Sequence, residues 1–422
     1  MDESLRIADE NALNRINELI RNLMRSYQLK DIANSIDISY DVFLGYWQGV
    51  NKPTLKFLKK LIQFSKSSMI EVKLLKAERQ SKPFRFPNKL TKEIAEWLGL
   101  FVADGHIKGK YGGVYLYNTS DQILNRFRDL TKIAFNLTAK YGQDSDDRTP
   151  YMYVRNTTFK KFLYMLGIPK ENKTYEIEIP KSILKSPNKL LIHFLNGYFA
   201  GDGWFSKYTV GFSTASKNLH IGLSYLFSRL GILHRVSKKK NSYYIELEGK
   251  RSEELALLFK SSDIFVYDKL LPLFDYLKKE VKHFDSLDIV PIDIELLKKI
   301  KKQGRDAQGH NIFRKYRGIR LDNYIKKNQT PSLSMLKRID DVINKYKPEI
   351  EQNTIKIIKK ILDVSENIYF DKVKEIETIE KETYVYDLTV EDCHNFVGGK
   401  QPIVLHNTVI PQPLAKWCDA DI

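Results

Sequence analysis

The sequence predicts an α+β protein whose centre is a pseudo-two-fold duplication of an αββαββα unit, flanked by small helical units and followed by a short β segment. Three observations predict it. The stretches WLGLFVADGH from Trp97 and LNGYFAGDGW from Leu195 repeat one another, each an apolar helix ending in Asp-Gly, at Asp104-Gly105 and Asp202-Gly203. The same order of strand and helix patterns follows each stretch, and such a duplication decides the architecture. Helix-turn-helix rhythms lie on both sides of the repeat.

At 422 residues, several domains are expected. The boundaries fall as a helical segment over 1–85, the duplicated core over 86–270 (repeats of about 86–180 and 181–270), and a second helical segment over 271–365. A β-rich tail over 366–407 and a short terminal segment over 408–422 follow. Lys and Arg outnumber Asp and Glu by 69 to 52, a net charge of +17 that points to a polyanionic partner, nucleic acid before a membrane surface. No run of about 18 apolar residues occurs, and MDESLRIADE is no signal peptide. Two cysteines, Cys393 and Cys418, build neither a disulfide framework nor a four-cysteine zinc site. The expectation is a soluble, cytoplasmic monomer.

In the first segment, Gln28–Phe64 alternates as a helix-turn-helix. Leu29, Ile32 and Ala33 give one short helix, and Ile36-Asp37-Ile38-Ser39 gives the turn. Val42, Phe43 and Tyr46 give a second helix, Gly49 ends it, and Pro53 opens a third. A plain helical bundle is the competing reading. Near the other end Asn323–Ile343 can be laid beside Tyr46–Phe64, with Ser332 matching Thr54. Arg314, Lys315, Arg317 and Arg320 stand beside it among Phe313 and Tyr316, a basic and aromatic surface suited to DNA, although a solvated charged face explains many such runs.

In the core, Asp104-Gly105 is followed by a turn (Lys108–Gly113), the strand VYLYNTS, an amphipathic helix from Asp121 through Ala134, the strand YMYVRN, and a helix over Phe159–Leu166. After Asp202-Gly203 come TVGFSTAS, a helix over Leu219–Leu230, HRVSKK, SYYIELEG and a helix over Glu253–Phe259. Strands that alternate apolar with polar groups leave one face for helices and one for a polar ligand. Gly99 and Ala103 on the first helix, and Gly197 and Gly201 on the second, are spaced to let two backbones meet and bring Asp104 and Asp202 together. Adjacent carboxylates repel, a cost that a bound cation relieves, and Mg²⁺ takes few carboxylates while keeping positions for phosphate and water. An Asp-Gly helix end is common singly; two in register within a repeat are not.

WLGLFVADG and LNGYFAGDG resemble the two signature helices of single-chain LAGLIDADG (DOD-type) homing endonucleases. The resemblance implies a β-saddle over a DNA duplex, Mg²⁺-dependent double-strand cleavage, and Asp104 and Asp202 as the metal-binding catalytic acids. It also implies a lysine near the phosphate. Lys173 in GIPKENKTYEIEIP fits that position, with Lys170 a rival, and its second-half equivalent lies unresolved among Lys238, Lys239 and Lys240, which are also expected DNA contacts.

The tail Tyr384–Thr408 reads as two strands, YVYDLTV and PIVLH, joined by a Gly-Gly turn and ending His406-Asn407-Thr408. An Asn before a hydroxyl residue can cyclise onto its own carbonyl and cut the chain, with His406 assisting and Asp387 or His394 relaying protons. The block resembles the C-terminal splicing segment of Hint-type inteins. That implies Asn407 as the cyclising residue and Thr408 as the first host residue. TVIPQPLAKWCDADI resembles the catalytic A subunit of archaeal V/A-type ATPases just past its phosphate-binding loop, implying that host. An intein opens on Cys or Ser with a Thr-x-x-His block. This chain opens MDESLRIADENALNRINELI, so it is expected not to splice alone, but to cleave at Asn407 or to act with a separate N-terminal half. The competing readings are a DNA-binding regulator with an inactive nuclease core, or a degenerate intein remnant.

Overall fold

The computed structural model describes residues 4–77, 81–109, 113–145, 148–278, 288–317, 319–365, 368–370, 373, 375–376, 388, 390–391, 394–399 and 403–406. They belong to two compact units. The first is Met1–Leu230 with Arg235–Glu246 and Ser252–Lys279; the second is Gly231–His234, Leu247–Arg251 and Glu280–Ile422.

The core repeats αββαββα twice, as expected. Its first half runs α1 (Lys92–Asp104), β1 (Gly105–Ile107), β2 (Val114–Tyr117), α2 (Asp121–Phe135), β3 (Lys140–Gly142), β4 (Tyr151–Val154) and α3 (Thr157–Met165). Its second runs α4 (Asn188–Asp202), β5 (Gly203–Ser206), β6 (Thr209–Thr214), α5 (Lys217–Arg229), β7 (Arg235–Lys239), β8 (Ser242–Glu248) and α6 (Lys250–Ser261). The two four-stranded sheets share one order, β1-β2-β4-β3 and β5-β6-β8-β7. Their starts are set alike: Ser120 caps α2 by accepting from Ile123 N, and Ser216 caps α5 by accepting from Leu219 N. The residue two before each cap closes the turn, Asn118 Oδ1 accepting from Ser120 N and Thr214 Oγ1 from Ser216 N.

One face of each sheet packs inward. Val114, Leu116, Met152 and Val154 are buried in the first, Val210, Phe212 and Ile245 in the second. Trp97 anchors the first half, stacked on Phe101 and Phe127 and donating its indole N–H to Thr131 Oγ1 at 2.9 Å. Phe212 does so in the second, between Phe199 and Phe227.

The segment before the core is less purely helical than its pattern implies. Arg6–Ile7, Leu74–Lys76 and Phe84–Arg85 form a three-stranded antiparallel sheet that ties its ends together. Its helices Glu10–Leu23, Leu29–Ser35, Tyr40–Trp47 and Leu55–Ser65 enclose Ile16, Ile32, Phe43 and Phe57. The second unit repeats this plan in Ile294–Gln303, Ile312–Arg317, Leu321–Lys326 and Leu333–Tyr346 around Leu297, Phe313 and Leu336. The paired Thr54 and Ser332 are both N-caps, accepting from Phe57 N and Met335 N. Each also sits in an isolated bridge, with Arg6 and with Ile289. Ile7 N donates to Pro53 O at 2.8 Å, and Val290 N donates to Pro331 O at 3.0 Å. Thr54 and Ser332 therefore hold the same local place in the two segments. No helix among the described residues is long and apolar enough to cross a membrane.

Candidate active site

Helices α1 and α4 meet backbone to backbone because glycines stand at the crossing. A Cβ on Gly99 would lie 2.1 Å from Phe194 O, and one on Gly197 would lie 2.2 Å from Glu96 O. The contact continues to the helix ends, where a Cβ on Gly201 would come 2.5 Å from Ala103 Cβ and 2.8 Å from Asp104 Oδ2. Asp104 and Asp202 thus end two apposed helices, each followed by a glycine cap that turns into a strand.

Both carboxylates are half-buried and both resist ionisation. Burial raises Asp104, against the pull of the Asn118 amide (Nδ2 to Oδ2, 2.8 Å), Lys269 and Lys173. Burial and the neighbouring Asp104 charge push Asp202 up to about 6. The two are not equivalent: Asn118 donates to Asp104, whereas Asp202 has beside it the Tyr198 hydroxyl, for whose one proton Ser213 O at 2.9 Å is the competing acceptor. A pair of oxygen donors at a helix-end crossing suits a hard divalent cation that fills its shell with water and phosphate. Among the described residues no larger group of His, Cys, Asp or Glu offers a ligand set.

Lys173 stands at the end of α1. Its Nζ donates to Val102 O at 2.7 Å and Ala103 O at 3.3 Å, and enclosure lowers its pKa to about 8 against the attraction of Asp202 and Asp104. Its rival Lys170 instead lies over the Tyr164 ring. Lys269, which the sequence reading did not single out, holds the corresponding place in the second half. Its Nζ donates to Ala200 O at 3.1 Å and Gly201 O at 2.6 Å, the matching carbonyls of α4, and burial lowers its pKa against both aspartates. Lys238, Lys239 and Lys240 occupy the β7–β8 hairpin instead. Lys238 lies over Tyr243, and Lys239 lies over Tyr244 and pairs with Glu246 at 3.7 Å; Lys240 takes the left-handed turn conformation.

A cleft of about 290 Å³ opens beside the carboxylates, lined by Lys173, Asp202, Ser213, Thr214 and Tyr244 among others. The outward faces of the sheets differ. In the first, Tyr115 pairs with Tyr153 and Tyr117 with Tyr151, and Lys108 sits 4.5 Å from the Tyr115 ring centroid. The second is more polar: Arg235, Ser237 and Lys239 oppose Glu246, Tyr244 and Ser242.

In the second unit Arg314 is exposed and Lys315 is held by Asp306 at 2.8 Å, while the Arg317 side chain lies outside the described residues. Asp387, Asn407, Thr408 and the His406 side chain also lie outside them. The observed tail hairpin pairs Ile403–His406 with Asn395–Gly398, while the expected strand YVYDLTV lies, apart from Leu388 and Val390, outside the described residues. Asn395 faces His406 in that register, which puts His394, exposed and left-handed, one residue before the paired strand.

The family model described as "Intein splicing domain" matches residues 157–407, and "LAGLIDADG-like domain" matches 91–167. The chain is 28% identical over 353 residues to the A-subunit of the A-type ATP synthase of Pyrococcus abyssi, covering 82% of this chain and 30% of that protein. It is 27% identical over 442 residues to the replication factor C small subunit of Methanocaldococcus jannaschii, covering 77% of this chain and 24% of that protein. The chain therefore spans less than a third of either relative. Among solved structures, the homing endonuclease I-WcaI bound to its DNA recognition sequence shares 15% identity at a TM-score of 0.35, over 44% of this chain and 88% of that one. I-DmoI in complex with DNA and Ca shares 14% at 0.35, over 44% and 97%.

Proposed function

The chain belongs to the intein splicing-domain family, and from that premise we propose that its duplicated core is an intein-encoded endonuclease that makes a site-specific double-strand break in DNA. The domain division proposed is helical unit, core, second helical unit, splicing tail over 366–407 and host residues from Thr408. The observation that carries the nuclease reading is the crossing of α1 and α4, which presents Asp104 and Asp202 with a lysine on the matching carbonyls of each helix. The LAGLIDADG-like match over 91–167 supports it. The matched relatives belong to an ATP synthase in one case and to a replication factor in the other, so what they share with this chain is better explained by an inserted element than by either host activity.

A divalent cation, Mg²⁺ in our reading, held by Asp104 and Asp202, would neutralise the scissile phosphate and acidify the attacking water. The chain's own groups divide the rest. Asn118 and Tyr198 fix the carboxylates. Lys173 and Lys269, unusually easy to deprotonate for lysines, each lie at one helix end, ready to offer charge or a proton to the phosphate there. The two outward sheet faces meet the duplex, with Lys238, Lys239, Lys240, Arg314, Lys315 and Arg317 holding phosphates, so affinity falls steeply with salt.

Supercoiled plasmid carrying the uninterrupted site in the gene for the ATPase catalytic chain, the proposed host, should be linearised in Mg²⁺ and left intact in EDTA. Retardation of that DNA without any cut would favour the inactive regulator instead. Lys173→Met and Lys269→Met should each slow cutting about 100-fold, measured as single-turnover rates with saturating protein; wild-type rates would remove these lysines from the chemistry.

The splicing match ends at residue 407, where the His406-Asn407-Thr408 junction was expected. We read Asn407 as the cyclising residue, with His394, His406 and Asp387 moving protons. Asn407→Ala should stop release of the Thr408–Ile422 peptide; continued release by mass spectrometry would take Asn407 out of the reaction.

A further inference from the structure

Each of the two lysines rides on a strap that leaves its own half and is anchored on the other. The strap after the first half carries Lys173 and is fixed to α5 of the second half. Ser216 Oγ donates to Ile177 O at 2.6 Å, Asn218 Nδ2 donates to Glu178 Oε1 at 2.7 Å, and Ile179 lies against Gly222, where a Cβ would be 2.4 Å from Ile179 Cγ1. The strap after the second half carries Lys269 and is fixed to α1 and α2 of the first. Gln122 holds Asp268 twice, Nε2 donating to Oδ1 at 3.2 Å and Oε1 accepting from N at 2.8 Å. Gln122 and Asn218 are each the second residue of the helix that follows a Ser cap, so the clasp is itself pseudo-two-fold.

What differs is the lock beside the clasp. On the first strap it is apolar, Ile179 on Gly222. On the second it is charged and buried. Glu96 on α1, 2% exposed, accepts both nitrogens of Arg126 (Nε to Oε1 2.9 Å, Nη2 to Oε2 2.6 Å) and also the Tyr267 hydroxyl at 2.6 Å. Arg126 lies 4.5 Å from the centroid of Phe265. Tyr267 is two residues before Lys269, whose Nζ reaches the end of α4. A buried ion pair is weak support for stability by itself. One that reaches 171 residues along the chain to seize a hydroxyl beside a functional lysine fixes geometry.

We propose that Glu96 and Tyr267 are positioning residues that set Lys269 against the Asp202 end of the crossing, and so govern cleavage of one DNA strand and not the other. This rests on the reading of Lys269 given above. Each lysine serves the end of a different helix and the straps are separate, so loosening one strap leaves the other in register. A displacement of about 1 Å at a reacting centre costs on the order of 100-fold in rate.

The test follows each strand of an end-labelled duplex under single-turnover conditions, using the full chain. Lys269→Met defines the strand that Lys269 serves. Tyr267→Phe, which keeps the ring and the Glu96–Arg126 pair, should slow that same strand about 10- to 100-fold, leave the other within about twofold, and accumulate nicked product. Duplex affinity should be unchanged, and Tyr267→Phe should add nothing in the Lys269→Met background. Gln122→Ala, a partly exposed change that spares the buried lock, should give the same strand polarity more weakly, and Asn218→Ala the opposite polarity. Equal slowing of both strands, a bias toward the other strand, or wild-type rates in Tyr267→Phe alongside an impaired Lys269→Met would overturn the positioning role. Wild-type rates in Lys269→Met itself would sink the underlying assignment, and the proposal with it.

Discussion

Asp104→Asn or Asp202→Asn should lower DNA cleavage by at least about 1000-fold while leaving duplex binding within a few-fold of wild type. Asn keeps the shape and a carbonyl oxygen but removes the charge that holds a cation. Binding, on the proposed reading, is spread over the sheets and basic side chains, so gel retardation separates the two effects. Near-normal nicking by either variant would remove the acids from the centre. The same substitution has a second consequence at Asp202. Its folded-state pKa is about 6 against about 3.9 unfolded. Between those values the folded protein holds the extra proton, so this stabilising contribution is present at low pH and lost as pH rises through 6. By pH 8 the charged, buried carboxylate costs the metal-free fold about 3 kcal/mol. Asp202→Asn in EDTA should therefore melt several degrees above wild type at pH 8 and level with it near pH 4. A lower melting temperature at pH 8 would contradict the raised pKa.

Gly197→Ala and Gly99→Ala should be among the most damaging methyl additions in the chain. The added carbon would lie 2.2 Å from Glu96 O and 2.1 Å from Phe194 O, both backbone atoms of the partner helix. Neither can move aside as a side chain could, so the helices must separate and lose the contact along their length. A cost of about 3 kcal/mol or more is expected, with a melting temperature about 10 °C lower. Cutting should fall with it, because separation moves Asp104 from Asp202. Gly109→Ala is the control, since nothing lies within 4 Å of its Cβ position. Thermal melts of the three proteins decide it. If Gly197→Ala melts like Gly109→Ala, the helices do not pack this closely in solution.

Much of the site was legible because the repeat is local. Apolar helices with small residues and a terminal Asp-Gly name both the crossing and its acids, and α2 and α5 follow the strand patterns that end at Ser120 and Ser216. Thr54 and Ser332, matched by pattern, proved to be the same cap in the two segments. Lys269 was missed because its surroundings, IFVYDK, share no wording with GIPKENK around Lys173. A signal did exist in spacing: Lys173 lies 69 residues after Asp104 (173 − 104) and Lys269 lies 67 after Asp202 (269 − 202). The lysine triplet drew attention through charge density, which marks solvated faces more often than sites. Glu96 carried no local mark at all. A carboxylate inside an apolar helix makes sense only with Arg126 and Tyr267, and Tyr267 arrives from 171 residues away. The small strands at Arg6–Ile7 and Lys140–Gly142 were similarly hidden, being two and three residues long and defined only by their partners.

On the proposed reading, Asp104 and Asp202 share a cation against a DNA strand. Anomalous scattering from Mn²⁺ in crystals of the full chain with its uninterrupted host-site duplex tests it most directly. Manganese is expected between the two carboxylates and in contact with the scissile phosphates. Manganese bound elsewhere, with the two carboxylates apart and no phosphate between them, would contradict it.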